Sequence, residues 1–183
     1  MKPIMERVDD YVPVTYKPVI RGGTSYHETD KFIKYVLKFC LRVYKRLDSA
    51  NQTARLIRDF IDVALRRYQN YSIKERIGAH YKEIGLKPGD KIDFEHVIPE
   101  KIIRDLLIQG RITIEEAMNS PTCLIKRSKH KKINKTMAKT TPNLGRFWER
   151  YKDIKIQIET HDGTPVDMTT WNLESHYQYF KML

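Results

Sequence analysis

The sequence predicts an α+β fold in three parts: a helical N-terminal part, a central segment in the order strand, strand, helix, and a mixed α/β tail. Apolar residues recur at helical spacing between about residues 30 and 84, whereas most strand-forming runs follow the turn-like segment GLKPGDK. The chain has 183 residues, of which 40% are hydrophobic, so it is long enough to bury one sizeable core. No segment of it repeats, which argues against a repeat architecture.

The expected domain organisation is a short arm followed by one domain. Residues 1–23 contain three prolines and a Gly-Gly pair, which predict an extended N-terminal arm. Residues 24–183 are expected to form a single domain. Within it we expect a helical part at 24–86, a strand–strand–helix core at 87–140 and a C-terminal elaboration at 141–183.

Three helices are expected in the helical part. The first lies within TDKFIKYVLKFCLRVYKRL, the second covers about 50–70, and we interpret the apolar stripe of each as core. A third is expected to begin at Ser72, where Glu75 completes a capping-box pattern, and to run to about Ile84. The stripes comprise Phe32, Ile33, Val36, Leu37, Cys40, Leu41 and Tyr44 in the first helix, and Leu56, Ile57, Phe60, Ile61, Ala64, Leu65 and Tyr68 in the second.

The central segment alternates strands and helices. KIDFEHVI and TCLIKR are strand-like, and Pro99 begins an apolar helix that ends near Gln109. A short helix capped by Thr113, with Glu116 returning to the cap, precedes the second strand. Ser128 is expected to cap the basic helix that follows that strand.

The tail is expected to mix helices with a hairpin. A helix should run from Thr141 to Tyr151, and KIQIET reads as a strand. HDGT is a typical hairpin turn, although its histidine and aspartate resemble a catalytic pair at first sight. A closing helix is expected from about Thr170.

The charge balance indicates a polyanionic partner. The chain has 34 Lys+Arg against 23 Asp+Glu, a formal net charge of +11, and nucleic acid is the commonest partner of such a protein. We expect DNA, with RNA as an open alternative. A membrane partner is not expected, because no stretch of 18 apolar residues occurs and no helix is basic along one clean face. The sequence leaves the oligomeric state open.

The cysteines indicate a reducing compartment. Cys40 and Cys123 have no partner at CxxC spacing, so neither a cysteine-built zinc site nor a disulfide framework is expected. The N-terminal residues show no apolar signal segment. These observations together predict a cytoplasmic protein.

The segment DFEHVIPE carries the strongest chemical signal. Glu95 and His96 stand side by side at the end of an expected strand, and the later helix places His130 and Asn134 at i and i+4 on one face. A helical pair of this kind can offer two ligand atoms to a divalent ion, and Glu95 could add a carboxylate. His96 would then remain as a general base. Alone, His96 is more often an ordinary half-buried histidine.

Residues 90–137 resemble the HNH endonucleases, also called His-Me finger or ββα-metal nucleases. The run His96-Val97-Ile98-Pro99 is similar to the one that follows the catalytic histidine in that family. The resemblance implies that Glu95, His130 and Asn134 bind one divalent metal ion, and that His96 activates the attacking water. The family's middle Asn, which supports the catalytic loop, has no direct counterpart, so Asn119 or Thr122 is expected to do this work.

The implied activity is hydrolysis of DNA phosphodiester bonds, by cleavage or nicking. The ion would steady the leaving oxygen while His96 accepts the proton of water. Mg²⁺ is the expected ion, with Mn²⁺, Ni²⁺ and Zn²⁺ as alternatives for a mixed His/Asn/Glu site. Neighbours on a regular strand point to opposite faces, so the site requires a distorted strand end at Glu95 and His96.

A run of cations surrounds the expected metal helix. Such a run is usually a solvated face, yet beside a metal site it becomes a plausible clamp for phosphates; a localisation signal is a third reading. The alternative function is accordingly a non-catalytic nucleic-acid-binding module on a degenerate HNH-like scaffold. The cations are Lys126, Arg127, Lys129, Lys131, Lys132 and Lys135.

Overall fold

The computed structural model describes residues 7–8, 25–48, 50–136 and 144–180. The α+β fold class is confirmed, since the described residues form helices and one mixed sheet. The strands are β1 (Arg7–Val8), β2 (Tyr81–Glu83), β3 (Ile92–His96), β4 (Thr122–Lys126), β5 (Ile158–Thr160) and β6 (Pro165–Val166). The α-helices are α1 (Ser25–Tyr44), α2 (Gln52–Tyr68), α3 (Lys74–Ile77), α4 (Glu100–Ile108), α5 (Ile114–Met118), α6 (Arg127–Thr136) and α7 (Leu173–Tyr179).

The chain forms two compact units, and each is built from separate stretches of sequence. Unit 1 comprises residues 1–15, 77–99 and 121–183, and unit 2 comprises 16–76 and 100–120. This grouping differs from the contiguous segments expected from the sequence, because α4 and α5 lie between β3 and β4 in the chain but belong to unit 2.

The sheet of unit 1 has the order β1-β3-β4-β2-β5-β6. Its pairings are antiparallel except that of β2 with β4, which is parallel. β3 and β4 pair along their whole length, from Ile92 opposite Lys126 to His96 opposite Thr122. α6 begins at the residue after β4, so the described chain contains the expected strand–strand–helix order.

The expected third helix, Ser72 to Ile84, is wrong in both its start and its end. The chain continues from α2 through a π-helix, Gln69–Ile73, so Ser72 lies inside a helix and caps nothing. Residues 81–83 then form β2, with Tyr81 and Glu83 buried between β4 and β5. Three residues are too few for a strand period to show in the sequence.

The tail follows the expected order, and the type of its first element differs from the expectation. The helix expected from Thr141 to Tyr151 is a 3₁₀ helix, Leu144–Ile154, and residues 141–143 lie outside the described chain. The HDGT segment is a hairpin turn between β5 and β6, as expected, with Gly163 at a φ of 93° that favours glycine. Asn172 caps α7 by accepting a hydrogen bond from the Ser175 N–H.

Unit 2 is helical, and its apolar stripes are only partly core. Ile33 and Leu37 of α1 are buried, as expected. Phe32, Leu56 and Phe60, which the periodicity assigned to the core, are instead more than half exposed. Helical spacing alone does not tell a buried face from an exposed one when a helix carries apolar residues on both. α5 has the expected capping box at Thr113.

Within the described residues, no helix is long and apolar enough to span a membrane.

Candidate functional site

Five side chains of unit 1 form a continuous chain of ion pairs beneath the sheet. The Arg127 guanidinium donates to Asp93 at 3.0 Å, and the two ring nitrogens of His130 contact Asp93 Oδ2 at 2.8 Å and Glu95 Oε2 at 2.6 Å. The Arg150 guanidinium donates to Glu95 Oε1 at 2.9 Å. All but Arg127 are less than a tenth exposed. Buried charges of this kind persist only when each has a partner, as each does here.

Three elements bring these residues together. Alternation along β3 places Asp93 and Glu95 on the same face of the sheet. α6 presents Arg127 and His130, which are three residues apart and therefore neighbours on one helix face. The 3₁₀ helix supplies Arg150. Sequence reasoning identified Glu95 and His130 but missed Asp93, although the same alternation in DFEH would have indicated it.

The surroundings of His130 favour the protonated form of its ring. Burial alone would lower the pKa of His130, but the hydrogen bonds and charges of Glu95 and Asp93 outweigh it and raise the pKa above its ordinary value. The protonated ring places a positive charge between the two carboxylates. Without it, two buried carboxylates would face one another with only the outer arginines as counter-ions.

His96 lies on the other face of β3. Its ring packs against Phe94 with centroids 5.6 Å apart, on the side opposite Glu95. β3 remains paired in regular register through His96, so the distorted strand end expected from the sequence is not present. His96 is nevertheless the last residue of the strand, where a bound group lying across the strand end could meet both faces.

Arg150 supports the strand end. Its guanidinium donates to the backbone carbonyls of His96, at 3.2 Å, and Val97, at 2.9 Å, as well as to Glu95. This is the work that sequence reasoning assigned to Asn119 or Thr122. No local sequence signal marks Arg150, because the fold alone brings the 3₁₀ helix to the end of β3.

The two residues assigned to that support have other partners. Asn119 belongs to unit 2, where its amide donates to the Glu115 carbonyl and accepts from the Tyr68 hydroxyl. Thr122 does stand opposite His96 in the sheet, but its hydroxyl accepts from the His80 N–H and contacts His80 Nδ1 at 2.9 Å. Thr122 therefore anchors β4 to the start of β2.

The metal-ligating atoms that the structure describes are suited to part of a metal site. Glu95 Oε2 and His130 Nε2 face each other, and the contact of His130 Nδ1 with Asp93 is the one that metal-ligating histidines usually make. An ion bonded to both would hold the two atoms at about 3 Å, so they would have to part slightly. Among the residues described, no group of three His, Cys, Asp or Glu side chains could hold a metal ion. Asn134 lies in α6, but its side chain is not among those that the structure describes.

A buried hydroxyl beside this pair has no hydrogen-bond partner among the residues that the structure describes. Tyr151 is fully buried, and its Oη lacks a partner within the described structure. Burial and, after it, the charge of Glu95 raise the pKa of Tyr151 well above its ordinary value. An orphaned polar atom next to a carboxylate is typical of a place that takes up a water or an ion.

Three of the six cations that were expected to contact phosphates form ion pairs within the fold. The Lys126 ammonium pairs with Asp90 at 3.1 Å, and that of Lys129 pairs with Glu83 at 2.7 Å. Arg127 is part of the ion-pair chain already described. These three cations stabilise the sheet and α6, and their charge is largely neutralised before any partner arrives.

The other three cations are exposed wherever the structure describes their side chains. Lys131 and Lys132 are exposed on α6, and the Lys135 side chain lies outside the described residues. Exposed lysines on a helix are accessible to the phosphates of a bound nucleic acid.

Comparison of the chain with family models, with curated proteins and with solved structures finds no match in any of the three.

The raised pKa of His130 predicts that stability falls as pH rises. Its contribution to the free energy of unfolding should be complete below about pH 6.5, the ordinary histidine value, and be lost as the pH passes its raised pKa. Urea unfolding at a series of pH values should show this fall, and His130→Gln should flatten it. In the control His161→Gln this fall in unfolding free energy should persist. Burial lowers the pKa of His161, so titration of that residue changes stability at lower pH.

The Glu95–Arg150 pair should behave as a coupled unit. Arg150→Met leaves a buried carboxylate with one partner fewer, and we expect a loss of about 3 kcal/mol in unfolding free energy. Adding Glu95→Gln should restore part of this loss, with a coupling energy of about 1–3 kcal/mol. Chemical denaturation of the two single variants and the double variant measures it. Strict additivity would contradict the pairing.

Proposed function

We propose that unit 1 is a metal-dependent endonuclease that hydrolyses DNA phosphodiester bonds, with His96 as the general base. The observation that carries the proposal is the contact between Glu95 of β3 and His130 of α6, in a strand–strand–helix unit whose first strand ends at His96. A carboxylate and an imidazole brought together this way are ligands that divalent ions accept. RNA contains the same bond and is the alternative substrate.

Each residue has a role in this proposal. Glu95, His130 and Asn134 would hold one divalent ion, Mg²⁺ in the first instance, which when bound would supply positive charge for the leaving oxygen. His130 would bind as the neutral imidazole and so give up the proton that it otherwise shares with the carboxylates. Asp93 would keep the ring oriented through Nδ1.

His96 would accept the proton of the attacking water. Its backbone carbonyl is held by Arg150, so the strand end is fixed relative to Glu95. A phosphate lying across the end of β3 would meet His96 from one face and Glu95 from the other. Lys131 and Lys132, exposed on α6, would contact neighbouring phosphates.

The compartment proposed is the cytoplasm. The two cysteines, Cys40 and Cys123, are free and buried, which fits a reducing environment.

His96→Ala should abolish nicking of supercoiled plasmid in Mg²⁺ or Mn²⁺. Loss of a general base lowers turnover by about 10²–10⁴-fold and leaves ground-state binding nearly unchanged. His130→Ala should also fail to nick, but through weakened binding of Mn²⁺, which titration calorimetry measures separately from cleavage. EDTA should stop the parent.

The matched control is His161→Ala, a half-buried histidine of the β5–β6 turn in the same unit. It should nick like the parent. Full nicking by His96→Ala would refute the catalytic role, and parental Mn²⁺ affinity in His130→Ala would refute the ligand assignment.

DNA binding should depend on salt through Lys131 and Lys132. Each phosphate contact contributes about −0.9 to the slope of log affinity against log salt, so Lys131→Glu with Lys132→Glu should flatten the slope by about 1.8. Fluorescence anisotropy with labelled duplex in EDTA measures it. The control, Lys87→Glu with Lys91→Glu, makes the same charge change at exposed positions before β3 and should leave the slope near the parent's. Equal slopes in all three proteins would contradict the assignment.

A second function is favoured by the closure of the ion-pair chain. Both oxygens of Glu95 and both nitrogens of His130 already have protein partners. Such a site suits a non-catalytic nucleic-acid-binding module. The parent would then bind duplex DNA yet nick no plasmid in Mg²⁺, Mn²⁺, Ni²⁺ or Zn²⁺.

A further inference from the structure

Unit 2 carries a second set of features that the nuclease site does not use. Six large apolar side chains of α1 and α2 are between 51% and 68% exposed. Each helix also buries an apolar face, so the exposed stripes are additional to the core. We call the exposed set the α1–α2 surface: Phe32, Tyr35, Phe39, Leu56, Phe60 and Val63.

The two stripes lie on one side of unit 2. On α1 the flank away from the stripe carries Lys34, which pairs with Glu115 of α5. On α2 the corresponding flank carries Arg58 and Arg66, which pair with residues of α4. α1 and α2 pack together and are joined by a short connection, so they run antiparallel. Both stripes therefore face away from α4 and α5.

Cations border this surface. On the two helices, as far as they are described, the exposed charged residues are five basic and two acidic. Three of the cations follow α1 beside its aromatic row. The basic residues are Lys31, Lys38, Arg42, Arg55 and Arg67, and the acidic ones are Glu28 and Asp59.

The positive charge around the α1–α2 surface distinguishes between its possible binding partners. A second copy of the chain would bring the same excess of cations to the same rim, and like charges across an interface are unfavourable. An anionic partner is complementary to this rim. Four of the six side chains are aromatic, and planar rings favour flat partners over the flexible chains of a lipid surface.

We propose that the α1–α2 surface binds single-stranded nucleic acid. The rings of Phe32, Tyr35 and Phe39 lie along about 10 Å of α1 and would stack on successive bases, while Lys31, Lys38 and Arg42 contact the phosphates. A duplex keeps its base faces inside the helix and should bind this surface weakly. The proposal concerns unit 2 and holds whether or not unit 1 cleaves.

Anisotropy of a fluorescein-labelled oligothymidylate of about 16 nucleotides, within the range of single-strand site sizes, tests it on the full chain in EDTA. Tyr35→Leu should weaken binding about 10-fold, and Phe32→Leu with Phe39→Leu by more, because leucine keeps the apolar contact but loses the stacking face. Tyr35→Phe should restore parental affinity.

Two control variants locate the effect on this surface. Ile84→Ser removes an exposed apolar side chain of unit 1 and should leave oligothymidylate affinity unchanged. His161→Ala, in the β5–β6 turn of unit 1, should also bind normally, and because the test is run in EDTA a failure of cleavage does not affect it. Circular dichroism checks that the leucine variants keep their helices.

Parental oligothymidylate affinity in the leucine variants would overturn the proposal. Two further results would overturn it in favour of another occupant. One is self-association of the parent in sedimentation equilibrium that is lost in Phe39→Ser. The other is binding to vesicles of phosphatidylcholine with phosphatidylserine that Phe39→Ser abolishes while oligothymidylate binding persists.

Discussion

The contact of the His130 ring with two buried carboxylates is the interaction on which the organisation of unit 1 depends. It joins α6 to β3, and through Glu95 it joins both to the 3₁₀ helix that carries Arg150. Removing charges from water is costly, and the pairs offset that cost only while every partner stays in place. Ionic contacts are also directional, so they specify the alignment of the three elements more narrowly than apolar packing would. The position of the end of β3 depends on the same alignment. The Arg150 guanidinium, which is the last member of the chain of ion pairs, also donates to the carbonyls of His96 and Val97.

The parts of the fold that the sequence predicts are those with a local cause. The strands around DFEHVI and TCLIKR, the helix between Pro99 and Gln109 and the capping box at Thr113 all follow from neighbouring residues, and the structure confirms them. β2 could not be predicted, since its three residues are ordered by β4 and β5 rather than by their own pattern.

The residues of the candidate site also divide into those that a local sequence pattern predicts and those that it does not. Glu95 and His130 were recognised from an ordered motif, and the structure brings them into contact. Arg150 comes from a distant helix and has no motif, so only the folded chain reveals it. The exposed position of Phe32 was missed for a different reason: helical periodicity reports that apolar residues share a face, but not whether anything covers that face.

The net charge of +11 is unevenly available to a partner. Around α6, Lys126, Arg127 and Lys129 are matched by carboxylates of the sheet and of the turn before β3, so sequence proximity to a motif overstates their availability. In unit 2, by contrast, the exposed cations of α1 outnumber the acidic residues beside them. A basic composition therefore predicts a polyanionic partner without indicating which surface would contact it.

The insertion of α4 and α5 between β3 and β4 sets an order for folding during synthesis. Every residue of unit 2 leaves the ribosome before Pro121, so this unit can complete its helical packing early. Unit 1 waits for its last stretch, because β4, β5, α6 and Arg150 all lie beyond that point. Until then β3 presents an unpaired edge, with Asp93 and Glu95 solvated and without their counter-ions. Two charged residues on a strand that emerges early hinder its pairing with other chains, so the carboxylates of the finished site also protect the unfinished one from aggregation.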